Sequence, residues 1–238
     1  MRLPNLPTFA LRLRMGGWEY PVHYMRGGTS TGLVLWEPFV PAAEPVREEL
    51  LRHLLGTPQA GTLVGNRQLT GLGRGPATSN KVFLVRREEA AGELRLVSTL
   101  AQLASDHARI DWGVNCGNMS AALPLWALDT GLLPMPAVGD VELAIRNTNT
   151  GVLTTARLPR DADGTLVLTE IPGVPGAFPR VDLFLHQPVG AKTGRLLPTG
   201  AAEDRVEGCR VSCVDVAVPM VIIEAADLGK TAHEPIRA

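Results

Sequence analysis

The chain has 238 residues, 45% of them hydrophobic, and a formal net charge of −1. That length can bury roughly 70–75% of the unfolded surface, and the balanced charge leaves no electrostatic footprint for nucleic acid or an anionic membrane. No apolar run approaches the ~18 residues of a membrane helix, and three scattered cysteines read as reduced thiols of a cytoplasmic protein.

Residues 1–17 read as an N-terminal extension without order. They have no clean apolar signal core and no small-residue cleavage site, and Met15 is a sensible alternative start. Tyr20 to Met25 then predicts a strand that runs into Arg26-Gly27-Gly28-Thr29-Ser30-Thr31-Gly32. Adjacent glycines permit a tight turn with exposed amides, and a guanidinium and hydroxyls lie beside them, which is anion-binding chemistry. An ordinary turn is the competing reading. Leu33 to Trp36 predicts a second strand, stopped by Pro38. Glu44 to Leu55 predicts an amphipathic helix, with Val46, Leu50, Leu51, Leu54 and Leu55 at helical spacing and Gly56 as the stop. Gly61 to Thr78 is a glycine-rich loop. Asn80 to Val85 and Leu94 to Leu100 predict strands paired across an Arg87–Gly92 turn.

In Asn115-Cys116-Gly117-Asn118-Met119-Ser120 a cysteine stands where a helix begins, with Asn118 or Asn115 as its cap. The segment Ala121 to Leu128 follows, and Gly131 can end it in the left-handed conformation. It is apolar nearly all round, which suits a helix buried inside a sheet, and Pro124 predicts a kink or a lost hydrogen bond. A thiol at a helix start meets the positive pole and unpaired N–H groups, which stabilise thiolate; the same groups can hold a carboxylate. The competing reading is a small buried cysteine under a loop. Asp106, His107 and Asp111 precede it and can either orient it or form a solvated loop.

Val141 to Ile145, Leu153 to Leu158 and Leu166 to Ile171 predict strands. Ile145-Arg146-Asn147-Thr148-Asn149-Thr150-Gly151 is a polar loop with two amides and two hydroxyls in four residues, or again an ordinary turn. Pro172 to Pro188 is loop-rich around Asp182 to Leu185, and Gly208 to Ala225 brings further strands. Gly28 to Gly32 satisfies the G-x-S-x-G pattern of serine hydrolases, but a strand follows it rather than a helix. Gly71-Leu72-Gly73-Arg74-Gly75 is not the dinucleotide fingerprint. The five histidines lack ligand spacing, and Cys209 and Cys213 read as buried thiols on one strand face, so no metal is expected.

Taken together, MRGGTS, NCGNM and IRNTNTG, in this order and at these spacings, resemble the PrpF family over about Tyr20 to Glu234. Its members include 2-methylaconitate cis–trans isomerase, 4-oxalomesaconate tautomerase and methylitaconate-type Δ-isomerases. The resemblance implies an α+β fold like that of diaminopimelate epimerase, with a curved sheet or barrel wrapped around a central helix. It implies a first such domain over residues 18–188 and the beginning of a second, incomplete one over residues 189–238. The expected chain is thus C-terminally truncated, with unpaired sheet edges that invite pairing with another chain, a homodimer included.

The implied activity is a cofactor-independent shift of an allylic proton on an unsaturated tricarboxylate, 2-methylaconitate of propionate metabolism first. Alternatives are 4-oxalomesaconate or methylitaconate chemistry or, in another class, an inactive truncated product or a carboxylate-binding protein. The resemblance places the proton-transfer pair on Lys81 and Cys116. It places substrate binding on Arg26, Gly27, Gly28, Thr29, Ser30, Asn115, Gly117, Asn118, Met119, Asn147, Asn149 and Thr150. Besides a second copy of the chain, the partner implied is a small polycarboxylate. Two departures stand out: an extra Asn80 before Lys81, and Thr31 where the family commonly has lysine, for which Arg67 and Arg74 are candidate substitutes.

Elementary electrostatics limits the roles. A free lysine titrates near ~10.4. A substrate carboxylate ~4 Å away interacts by about 4 kcal/mol at an effective dielectric of ~20, which raises the lysine pKa further. Lys81 is therefore a base only if Arg26, the Gly27-Gly28 amides and the helix start neutralise that carboxylate. Otherwise it is the acid or enolate stabiliser, and Cys116 thiolate is the base. The sequence leaves both assignments open.

Overall fold

The structure, a computed structural model, describes residues 12–90 and 92–235. The chain divides after Phe184 into two compact units.

The first unit opens with β1 (Arg12–Arg14) paired antiparallel to β2 (Gly17–Glu19). Met15 and Gly16 between them lie at φ 52° and 80°, the two left-handed residues of a type I′ hairpin. Residues 12–17 of the expected extension take part in this hairpin; residues 1–11 lie outside the described residues.

β3 (His23–Gly27) and β4 (Ser30–Trp36) form the next hairpin. Helix α1 (Glu44–Leu55) follows, ended as expected by Gly56 at φ 68°. β5 (Lys81–Ala90) runs parallel to β4, and β6 (Glu93–Leu103) returns beside it. This hairpin extends through the expected turn at residues 87–92. Its outer end is held by charge: Glu88 lies opposite Arg95 in register, 3.7 Å away, and Arg146 reaches the same carboxylate at 2.9 Å. The Arg146 guanidinium holds the Glu88 carboxyl below its usual pKa.

β7 (Ile110–Asp111) pairs with β6. Helices α2 (Gly117–Ser120) and α3 (Ala122–Asp129) come next. β8 (Val141–Asn147) lies parallel to β6 with β9 (Leu153–Leu158) antiparallel beyond it. β10 (Leu168–Ile171), within the predicted Leu166–Ile171 strand, and β11 (Val174–Pro179), inside what the sequence reads as loop, form a separate hairpin around Gly173 at φ 82°. β12 (Asp182–Leu185) rejoins the main sheet.

The eight-stranded mixed sheet runs β12-β9-β8-β6-β5-β4-β3, with β7 on β6. Helix α3 packs on both β3 and β9. Laid flat, those strands would be about 24 Å apart, whereas a helix is only ~10–12 Å across. The sheet must therefore curl around the helix. Alternation along β4 and β5 explains their continuous apolar runs. Val34, Trp36, Phe83 and Val85 face Leu123 and Trp126 inside the curl, while Leu33, Leu35, Val82 and Leu84 face Leu51 and Leu55 of α1 outside.

In the second unit β13 (Asp204–Val206), β14 (Cys209–Val216) and β15 (Val218–Ile223) form an antiparallel sheet in that order. Every residue of the edge strand β15 is exposed. Asp215 is fully buried. Burial raises its pKa, but N–H bonds from Thr193 and Lys192 outweigh that and hold it low. Cys209 and Cys213 share a strand face as expected but are half-buried rather than buried, because three strands leave that face partly open. Among the described residues no helix is long and apolar enough to cross a membrane.

Candidate active site

Cys116 is itself the cap of α2. Its backbone is extended at φ −129°, ψ 102°, and its Sγ accepts the Met119 N–H at 3.4 Å. This corrects the expectation of an asparagine cap. Asn115 Oδ1 instead accepts the Cys116 N–H at 2.8 Å, and Asn118 Nδ2 donates to Thr29 Oγ1 at 3.2 Å. The helical run breaks at Ala121, since Pro124 has no N–H for the Ser120 carbonyl. The sulfur thus meets one oriented N–H of a single turn, not the pole of a long helix. The Met119 side chain lies in the core, fully buried, and its backbone N–H faces the thiol.

The β3–β4 turn sits directly over this cap. A Cβ on Gly27 would stand 2.3 Å from the Asn118 carbonyl oxygen, so only glycine allows the approach. Gly28 turns the chain at φ 51°. Ser30, almost wholly buried, brings its Oγ to 3.7 Å from Cys116 Sγ. Arg26 and Thr29 are exposed. Arg26, Gly27, Gly28, Gly117 and Asn118 line one wall of a cavity of about 480 Å³; Phe178 and Arg180 at the β10–β11 hairpin line another. Thr31 is buried and accepts the Tyr24 hydroxyl at 3.1 Å. Arg74 covers the Tyr24 ring at 4.9 Å, while Arg67 is exposed.

Lys81 opens β5 beside Gly32 of β4 and is 6% exposed. Its Nζ donates to the Ala77 carbonyl at 2.6 Å. Burial pushes its pKa down, and the charge of Cys116 pulls it back up. Lys81, Cys116, Ser30 and the Gly27–Gly28 turn are therefore brought together.

The third motif is placed differently. Asn147 Oδ1 accepts from the Thr150 N–H and hydroxyl at 3.0 and 2.9 Å. Asn149 binds the Leu100 N–H and carbonyl at 2.7 and 2.8 Å, continuing the β6 ladder, and donates to the Trp112 carbonyl at 2.6 Å. These side chains turn toward their own loop, β6 and the segment that leads to Cys116. Asp111 likewise serves its own loop, accepting the Gly113 N–H at 2.7 Å.

Sequence reasoning noted Asn80 only as a departure and missed the other groups behind Lys81. Gln68 and Asn80 are buried, and Gln102 donates to the Ala77 carbonyl at 3.0 Å. The one available signal was a glutamine inside the apolar run Leu100-Ala101-Gln102-Leu103.

The profile described as PrpF protein matches residues 18–237. The 4-oxalomesaconate tautomerase of Pseudomonas putida KT2440 is 36% identical, over 93% of this chain and 60% of its own length. The 2-methyl-aconitate isomerase of Shewanella oneidensis MR-1 is 28% identical, over 89% and 56%. A crystal structure of methylitaconate-Δ-isomerase superposes with a TM-score of 0.70 at 30% identity, covering 90% of this chain and 55% of that one. The chain thus spans 55–60% of the length of these relatives.

Proposed function

The chain belongs to the PrpF protein family, and from that premise we propose that it carries the proton-transfer groups of an isomerase acting on an unsaturated polycarboxylate. The observation that carries the reading is that β4 reaches both groups: Ser30 Oγ lies 3.7 Å from Cys116 Sγ, and Gly32, two residues on, pairs with Lys81. The sulfur accepts an N–H, and the ammonium donates to a neutral carbonyl. On this arrangement we read Cys116 as the base and Lys81 as the acid.

In this reading the thiolate removes a proton from the carbon allylic to the double bond. The electron pair moves through the double bond into a conjugated carbonyl or carboxylate. The Lys81 ammonium protonates the far carbon and the double bond is shifted; if the intermediate first rotates and is reprotonated at the original carbon, the outcome is cis–trans exchange. A proton passing from the thiol to the Lys81 amine restores the pair, so no net proton is consumed. Arg26 and the Gly27–Ser30 turn, with Asn115, Gly117, Asn118 and the Met119 backbone, hold the carboxylates and enolate charge. Asn147, Asn149 and Thr150 act from behind by fixing the loop before Cys116.

The family resemblance puts 2-methylaconitate first; the higher identity to the 4-oxalomesaconate tautomerase makes 4-oxalomesaconate the first compound to assay. The reading extends to a diaminopimelate epimerase-like fold, with residues 18–188 as one domain and 189–238 opening another. The curled sheet around α3 and the exposed edge strand β15 support it.

The test uses the protein as its source makes it, incubated in D2O with each substrate and followed by NMR for deuterium uptake. Cys116→Ser and Lys81→Met should each slow exchange more than about tenfold. Cys116→Ser keeping over about a tenth of the wild-type rate would remove the cysteine from the mechanism. Tight binding of the carboxylates with no exchange would make this a binding protein instead.

A further inference from the structure

Behind Lys81 lies a buried polar network that touches neither the sulfur nor the cavity. Gln68 is 2% exposed and Asn80 fully buried. The Gln68 amide donates to the Leu55 carbonyl at the end of α1 and to Asn80 Oδ1, both at 2.8 Å, and accepts the Gly75 N–H at 2.7 Å. Asn80 Nδ2 donates to the Gly75 carbonyl at 3.0 Å. Gly73 passes so close that a Cβ there would stand 1.9 Å from Gln68 Nε2 and 2.5 Å from Asn80 Oδ1. Gln68 itself holds φ 53°, a left-handed backbone that is strained for a residue with a Cβ. Such strain persists only where the surroundings impose it.

The network converges on one atom. The Ala77 carbonyl accepts Lys81 Nζ at 2.6 Å, Gln102 Nε2 at 3.0 Å and the Asn80 N–H at 3.4 Å. Gln102 also donates to the Asn80 and Leu103 carbonyls. The short 3-10 turn Ala77–Ser79 is thereby tied at both ends to α1, β5 and β6.

We propose that Gln68, Asn80 and Gln102 are positioning residues that set where the Lys81 ammonium sits, by fixing the Ala77 carbonyl to which it donates. The proposal rests on the reading of Lys81 as the proton-transfer lysine, but its test does not need turnover. Facing Lys81, the titratable group is Cys116 on the α2 cap. The neighbouring strands and turn contribute Gly32, Thr31, Gln102 and Ala77–Ser79, none of them charged, and Arg74 is engaged on Tyr24.

Competitive labelling of amino groups with acetic anhydride across pH, read peptide by peptide, reports each lysine separately. The chain has only Lys81, Lys192 and Lys230, so two serve as internal references. Gln68→Leu should free the turn, let Lys81 reach water and raise its labelling midpoint by about one pH unit, a tenfold change in deprotonated fraction. Gln102→Met, which keeps the bulk but removes the donor, should move it the same way by a smaller amount. It provides the reading if Gln68→Leu fails to fold. Lys192 and Lys230 should not move. A folded Gln102→Met or Gln68→Leu variant with an unchanged Lys81 midpoint would overturn the proposal and leave the network a role in stability alone. If the midpoint moves but Lys81→Met turns over normally, the anchoring stands and the proton-transfer reading fails.

Discussion

Gly27→Ala asks whether the β3–β4 turn must touch the cap of α2. Gly27 is not at positive φ, so alanine carries no backbone strain and any cost is steric. The new methyl would stand 2.3 Å from the Asn118 carbonyl oxygen and 2.9 Å from Met119 Cα. Both are backbone and cannot rotate aside, so turn and helix must separate by about 1 Å to restore normal contact. Overpacking of that kind costs about 1–3 kcal/mol. For a chain of this size it lowers the thermal midpoint by about 2–12 °C. Gly117→Ala is the internal control: its Cβ meets nothing within 4 Å, at a φ that is likewise not positive. There the loss of glycine's freedom in the unfolded chain should add about 0.4–1 kcal/mol. Near-UV circular dichroism gives both midpoints. The alkylation rate of Cys116 should also change in Gly27→Ala, since Ser30 rides on the same turn. Equal midpoints for Gly27→Ala and wild type, or a fall of the same size in Gly117→Ala, would refute the steric account.

Other outcomes follow from charge and burial. His23 accepts the Trp126 indole N–H at 3.1 Å, which requires neutral Nδ1; burial lowers its pKa against a smaller raising pull from Asp129. The unfolded chain then binds a proton that the fold resists. Stability held above pH 6.5 is lost as pH falls from there through the folded pKa, and His23→Gln should flatten that slope in urea titrations. Lys81 is also lowered, so stability rises with pH between its folded pKa and 10.5. Lys81→Met should accordingly be more stable than wild type near neutrality, with the gap narrowing as pH approaches 10.5. Arg26→Ala should raise KM more than it lowers kcat, and the opposite pattern would count against a binding role.

Much of the fold was legible because both sheet faces are covered. Glu44–Leu55 was readable from its periodicity and Gly56, and Leu153–Leu158 from its flanks. β11 was not, because Val-Pro-Gly-Ala-Phe-Pro has no alternation and almost no buried side chain to mark it. The Cys116 segment was legible as a helix inside a sheet, but not its break at Ala121, since Pro124 displaces a hydrogen bond upstream of itself. The burial of Lys81 left no local trace. The groups behind it come from the glycine-rich loop and β6, and of Ser79-Asn80-Lys81 only Asn80 belongs to them.

Helix α3 has eight residues and buries Ala122, Leu123, Pro124, Trp126 and Ala127. Alone in water a segment so short would not hold a helix. It exists because the sheet curls around it, and α3, with Met119 of α2 and Leu132, fills that curl. Neither can form or come apart without the other, so local fraying cannot expose the backbone amides of this helix. In hydrogen exchange, the amide of Trp126, deep in that core, should be among the last to take up deuterium, at the rate at which the whole first unit opens.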